Sequence, residues 1–211
     1  MDEKKSTIIE KGFELFSLYG IRSVTMQDLG RELGMSKKTL YHYFNNKSDL
    51  VTEVMENTIN NIMQELKEDP GNDINAVEEF FIHRRELLKK LSRQNTAIAF
   101  DLRKYYPDLF NKLKEIRREA LYSAHKKNLE KGKKQGVYRR DVDTDFISRL
   151  MTGGHVFTFD PVYGIFSEEE LLSPKFRNNL FQYHFRGICT EKGLKIFNDL
   201  MQQPDQNDNK I

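Results

Sequence analysis

Thr25-Met26-Gln27-Asp28-Leu29-Gly30-Arg31-Glu32-Leu33-Gly34-Met35-Ser36-Lys37-Lys38-Thr39-Leu40-Tyr41-His42-Tyr43-Phe44 reads as two short helices around a glycine turn. Thr25 followed three residues later by Asp28 is a capping signature: the hydroxyl accepts an orphan amide and the carboxylate sits at the positive helix end. Gly34 stops that helix, Met35 is free to pack inward, and Ser36 is suited to cap the next one. Two short helices joined so tightly predict a helix-turn-helix.

Working outward, apolar residues at helical spacing (Ile9, Phe13 and Phe16, widened by Ile8, Leu15 and Tyr19) predict a first helix over about 6–19, ended by Gly20. A cap at Asn46 or Ser48 opens a longer fourth helix through Leu50, Val51, Val54, Met55, Thr58, Ile62 and Leu66. The run Glu68-Asp69-Pro70-Gly71-Asn72-Asp73 breaks the periodicity and marks a boundary. Further helices are expected over about 74–93, 95–105, 107–135, 143–157 and 174–191, with a short last one over 194–202. The expected fold is all-α. A three-helix helix-turn-helix domain (1–66) joins through its long fourth helix to a C-terminal helical ligand-binding and dimerisation domain (67–203), and a polar tail (204–211) follows.

The chemistry of the third helix decides the functional reading. From Ser36 to Lys47 there are three lysines and no acid, so this segment approaches phosphates without repulsion. Lys37, Lys38, Thr39, Tyr41 and His42 combine charge, hydrogen bonding and flat aromatic surface, as phosphate contact and base-edge readout require. Leu40 and Phe44, four apart, are expected to face inward and anchor the helix.

The quoted run, followed by Asn46-Lys47-Ser48-Asp49-Leu50, closely resembles the DNA-binding domain of TetR-family (tetracycline repressor-like) regulators. The resemblance is strong over roughly the first 60 residues. It implies phosphate contacts from Thr25, Tyr43 and Lys47, groove contacts from Lys37, Lys38, Thr39, Tyr41 and His42, and a place for Ser36 at the start of the reader. It also implies a homodimer, a palindromic double-stranded DNA operator, and a small-molecule effector, apolar or anionic, whose binding alters the spacing of two readers. Weaker echoes are Glu130 to Asp143, which looks like the family's helix-seven end, and Phe185 to Gly193, similar to its helix-nine end.

Beyond the motif the residues leave alternatives open. Phe146, Ile147, Leu150, Met151, Gly154 and Phe157, with Leu180, Phe181, His184, Phe185 and Ile188, form either core or a subunit interface. The interface is favoured because a two-half-site operator matches a two-fold dimer. Phe146, Leu150, Phe157, Leu180, Phe181, His184, Phe185 and Ile188 are its expected members. The aromatics Phe80, Phe81, Phe100, Tyr105, Phe110, Tyr122, Phe157, Phe159, Tyr163 and Phe166 mix core and pocket wall, and no single pocket residue is assigned.

Arg84 to Arg140 carries 18 Lys and Arg against 6 Asp and Glu, although the whole chain of 211 residues is only +2. This is a solvated helix face, or a field that draws an anionic effector or adds to DNA contact. The one cysteine, Cys189, excludes an internal disulfide. His83, His125, His155 and His184 are too scattered for a metal signature, so no metal or cofactor is expected. With no nucleophile–base pair and no phosphate loop, an enzyme is not expected either. No apolar run approaches a membrane span and no secretory leader is legible, so the chain is expected in the cytoplasm. The favoured function is a repressor released by its effector. The alternative is a DNA-binding regulator without one, its C-terminal helices serving dimerisation or partner recruitment.

Overall fold

A computed structural model describes residues 2–65, 71, 73–91, 96–158 and 164–202. Its helices are α1 (Glu3–Tyr19), α2 (Met26–Glu32), α3 (Lys37–Tyr43), α4 (Lys47–Glu65), α5 (Ala76–Leu91), α6 (Thr96–Tyr105), α7 (Pro107–Gln135), α8 (Thr144–Thr158), α9 (Glu168–Leu172), α10 (Pro174–Ile188) and α11 (Glu191–Gln202). Among the described residues the only β pairing is an isolated antiparallel bridge between Tyr138 and Cys189. The expected all-α class holds. The polar tail and most of the 66–73 break lie outside the described residues.

Helix ends follow local chemistry. α1 starts at Glu3 rather than near Ser6, because the Asp2 side chain accepts from the Lys4 amide. The turn after α2 satisfies two orphan carbonyls: Met35 donates to the Gly30 carbonyl at 2.8 Å and Gly34 to that of Arg31 at 3.2 Å. That arrangement needs the left-handed φ of +62° that Gly34 supplies. Asn46 caps α4 by accepting from the Asp49 amide at 2.9 Å. α9 is an addition to the expected elements, built on a reciprocal cap between Ser167 and Glu170.

The chain divides into two compact units, Met1–Lys67 with Arg85–Ala120, and Glu68–Arg84 with Leu121–Ile211. The boundary expected near Leu66 falls where the chain first leaves unit 1, but the chain returns at residue 85. The reason is packing: Ile98 and Leu102 of α6 and Leu109 and Leu113 of α7 share one core with Ile8, Phe16, Leu29, Leu40, Phe44 and Val54. α1 and α4 approach closely at Gly12, where a Cβ would lie 3.1 Å from Val54 Cγ2. α2 is seated on its own exit turn, since a Cβ on Gly30 would come within 2.8 Å of the Met35 carbonyl oxygen.

In unit 2 the core is aromatic. Phe80 packs edge-on to Phe185 at 5.1 Å, and Phe185 stacks on Phe197 at 4.9 Å. Around these rings runs a buried polar network. Tyr138 donates to Asn128 Oδ1 at 3.0 Å, Asn128 donates to the Ala76 carbonyl at 2.8 Å, and the Lys131 ammonium pairs with Glu79.

This packing corrects part of the expected interface. Phe181, Phe185 and Ile188 are buried within unit 2 itself, because the α10 stripe that carries them faces Phe80, Phe81 and Phe197. Phe146 and Leu150, at 60% and 52% exposure, do remain on the surface, while Leu180 and His184 are half-buried. Tyr183, 77% exposed on α10, joins them although the sequence did not mark it. The side chain of Phe157 lies outside the described residues, as do those of His155, Phe159 and Tyr163.

Candidate nucleic-acid interface

α3 is fixed from beneath and free above. Leu40 and Phe44 are buried in the unit 1 core, as their spacing predicts. At the N-cap, Ser36 Oγ accepts from the Thr39 amide at 3.1 Å and lies 2.9 Å from the Thr39 hydroxyl. The cap therefore sets the rotamer of Thr39 as well as the start of the helix. Lys37, Lys38, Tyr41 and His42 are exposed, and Thr39 and Tyr43 are half-buried. The Lys37 ammonium stands 5.6 Å over the Tyr41 ring, and His42 meets Tyr43 edge-on at 5.4 Å. Ser36, Lys38, Thr39, Tyr41, His42 and Tyr43 line a shallow open hollow of about 550 Å³.

The three residues assigned to phosphate contact are each engaged within the chain. The Thr25 hydroxyl donates to Asp28 Oδ2 at 2.7 Å and accepts from the Asp28 amide at 3.1 Å. With the Thr25 amide also donating to Asp28, these bonds hold the Asp28 carboxyl below the usual carboxylate range. Partial burial, then the nearby Asp2 carboxylate, raises the Tyr43 phenol above its ordinary value. The half-buried Lys47 ammonium donates to the Arg22 carbonyl at 3.2 Å. Burial lowers its pKa, opposed by the charges of Asp101 and Asp28.

Three residues that the motif does not signal, Arg22, Asp101 and Tyr105, complete this surroundings. The Asp101 carboxylate of α6 accepts from the Arg22 amide at 2.9 Å, and the Arg22 guanidinium stands 4.9 Å over the Tyr105 ring while donating to its hydroxyl. Among the described residues no His, Cys, Asp and Glu gather into a group able to hold a metal, and no helix is long and apolar enough to cross a membrane.

Residues 8–54 match the sequence profile described as bacterial regulatory proteins, tetR family. An HTH-type transcriptional regulator of Staphylococcus aureus is 27% identical over 119 residues, covering 52% of this chain and 64% of its own length, so the chain spans somewhat under two thirds of that relative. A solved transcriptional regulator from Cytophaga hutchinsonii superposes with a TM-score of 0.71 at 17% identity, over 90% of this chain and all of its own. A putative regulator from Saccharomonospora viridis, solved in complex with choline, gives 0.53 at 18% identity with the same coverage. These likenesses meet on the geometry described above: residues 8–54 carry a helix-turn-helix domain of the tetR-family type, and the chain shares the helical fold of those solved regulators.

Proposed function

We propose that the chain is a sequence-specific DNA-binding transcriptional regulator, acting as a homodimeric repressor that a small-molecule effector releases from a palindromic operator. One observation carries the DNA reading: α3 is anchored by Leu40 and Phe44 and turns Lys37, Lys38, Tyr41 and His42 outward, from a segment, Ser36 to Lys47, that itself contains no acid. In such a helix the lysines and the Thr25, Tyr43 and Lys47 groups position the protein on phosphates. Lys38, Thr39, Tyr41 and His42 reach base edges. A dimer presents two such helices about one DNA turn apart. The exposed Phe146, Leu150 and Tyr183 support the pairing surface, with the half-buried Leu180 and His184 on the same helix as Tyr183.

An anionic effector is supported by a contrast between neighbouring arginines. Arg118 is exposed and pairs with Glu115 at 2.7 Å and Glu119 at 2.9 Å. Arg117 sits on the stripe of α7 that buries Leu113 and Ala120, and burial lowers its pKa. The residues one turn away on that stripe, Leu113, Lys114, Ala120 and Leu121, offer it no carboxylate. Arg117 is half-buried, and a guanidinium that has lost part of its solvation stays charged and is stabilised by an anion. Effector binding that favours a wrongly spaced dimer would weaken operator binding by a coupling of about 1 to 3 kcal/mol.

The test is selection of bound genomic fragments by the purified protein at near-physiological salt. The control is a Thr39→Ala, Tyr41→Ala, His42→Ala triple variant. Enrichment of a palindrome that the control loses supports the reading, and its absence overturns base recognition by α3. If carboxylate- and phosphate-bearing compounds fail to raise the melting midpoint, or raise it equally in Arg117→Leu, the anionic effector falls. The regulator without an effector then stands.

A further inference from the structure

Lys47 opens α4, where free helix amides and an ammonium together suit a phosphate. Its ammonium is nevertheless turned onto the Arg22 carbonyl, in the field of Asp101 and Asp28. Asp101 comes from α6, 79 residues from Arg22 in sequence, and is only 8% exposed. It is seated tightly against the turn that follows α1: a Cβ on Gly20, whose φ is +80°, would lie 3.3 Å from Asp101 Oδ2. Holding the Arg22 amide requires only a neutral acceptor, which an amide oxygen would supply as well. The negative charge is therefore surplus to that bond. The Arg22 guanidinium is directed to the Tyr105 ring and hydroxyl, while the Lys47 ammonium is bonded to the carbonyl of the same residue whose amide Asp101 holds, which sets Lys47 in the field of that carboxylate. The same charge also reaches Tyr106, whose phenol is raised by burial first and by Asp101 second.

We propose that Asp101 is a positioning residue for DNA binding: it fixes the Arg22 turn whose carbonyl receives Lys47 and adds its negative charge there, so that a phosphate must compete with a built-in acceptor and a carboxylate field for the same ammonium. A carboxylate bonded to the same residue as the Lys47 ammonium carries the sign of a phosphate and lowers affinity for every duplex equally. Base contacts from α3 then decide occupancy, and discrimination against random DNA improves. The inference rests on reading α3 and Lys47 as the DNA face.

The experiment compares wild type, Asp101→Asn, Lys47→Gln and the double variant on a random-sequence duplex and on the selected operator, from about 50 to 300 mM salt. Asn keeps an acceptor for the Arg22 amide and removes the charge. Asp101→Asn is expected to bind random duplex about 3- to 10-fold more tightly near 0.1 M salt, with a steeper salt dependence, while the ratio of operator to random affinity falls. In the Lys47→Gln background that gain is expected to disappear. Damage to the turn would weaken binding to both duplexes, the opposite sign, and Asp101→Glu, which restores the charge, should abolish the gain. Unchanged or weaker random-duplex binding in Asp101→Asn, or a gain that survives without Lys47, overturns the inference and leaves the DNA reading intact. A wild-type chain that binds no duplex overturns both.

Discussion

Unit 1 and unit 2 are both helical, yet they are specified in different ways. Unit 1 has a mainly aliphatic core, and its helix-turn-helix is shaped by contacts between residues three to five apart: Thr25 with Asp28, Ser36 with Thr39, Gly30 with Met35. Unit 2 is shaped at long range. Asn128 meets Glu79 across 49 residues, and Tyr138 meets Ala76 across 62. Its phenylalanines come from three separate helices. Local specification leaves the outer face of α3 free of structural duty, which is why that face can carry lysines and aromatic rings. Long-range specification uses up Phe80 and Phe81, two of the aromatic side chains that, in sequence, resemble the wall of a pocket.

The sharpest way to break the comparison is at Phe185, which is fully buried between Phe80 and Phe197. Phe185→Ala is expected to cost unit 2 about 3 to 5 kcal/mol. Cys189 reports the loss directly, since its amide donates to the Phe185 carbonyl and burial pushes its thiol up to about 12. In the intact protein a thiol reagent at pH 8 reaches it only through opening. Labelling should accelerate by about two to three orders of magnitude in the variant. Amide exchange in α2 and α3 should stay slow; equal acceleration there would mean that the units do not differ in kind.

A smaller loss is expected at Gly132. A Cβ there would lie 2.0 Å from Tyr138 Cδ2, and Tyr138 is held at its hydroxyl by Asn128 and Ala76, so the ring cannot retreat freely. Gly132→Ala should destabilise unit 2 by about 1 to 3 kcal/mol in denaturant melts. If the midpoint is unchanged, the network around Tyr138 is looser than its bonds imply.

The same distinction explains what was legible in the sequence. The caps at Thr25, Ser36 and Asn46 and the stop at Gly34 lie within a few residues of what they satisfy, so composition and spacing revealed them. α9 was equally legible through Ser167 and Glu170, but five residues are too few to show a periodic stripe. The stripe Phe181, Phe185 and Ile188 was visible as apolar, whereas periodicity does not reveal whether the covering surface belongs to the same chain. Asp101 and Arg22 gave no signal, because nothing local links residues 79 apart. The outward lysines and rings of the proposed recognition face were readable in residue type; the engagement of Lys47 with Arg22 was not.

The smallest effect tests unit 1 at its most local feature. Thr25→Ala removes both the hydroxyl that caps α2 and the hydrogen bond it donates to Asp28, at a cost of about 1 kcal/mol. Thr25→Ser should recover most of it. The Asp28 carboxyl is held below the usual range by the Thr25 hydroxyl and amide, so in the folded state it binds its proton less readily than in the unfolded chain. Its contribution is then fully present above the ordinary aspartate pKa and is lost as pH falls through the lowered folded value. Urea melts of wild type and Asp28→Asn should differ at neutral pH and converge towards the acid limit. A difference that stays constant across that range would mean that Asp28 acts through shape alone, and the cap would then be independent of charge.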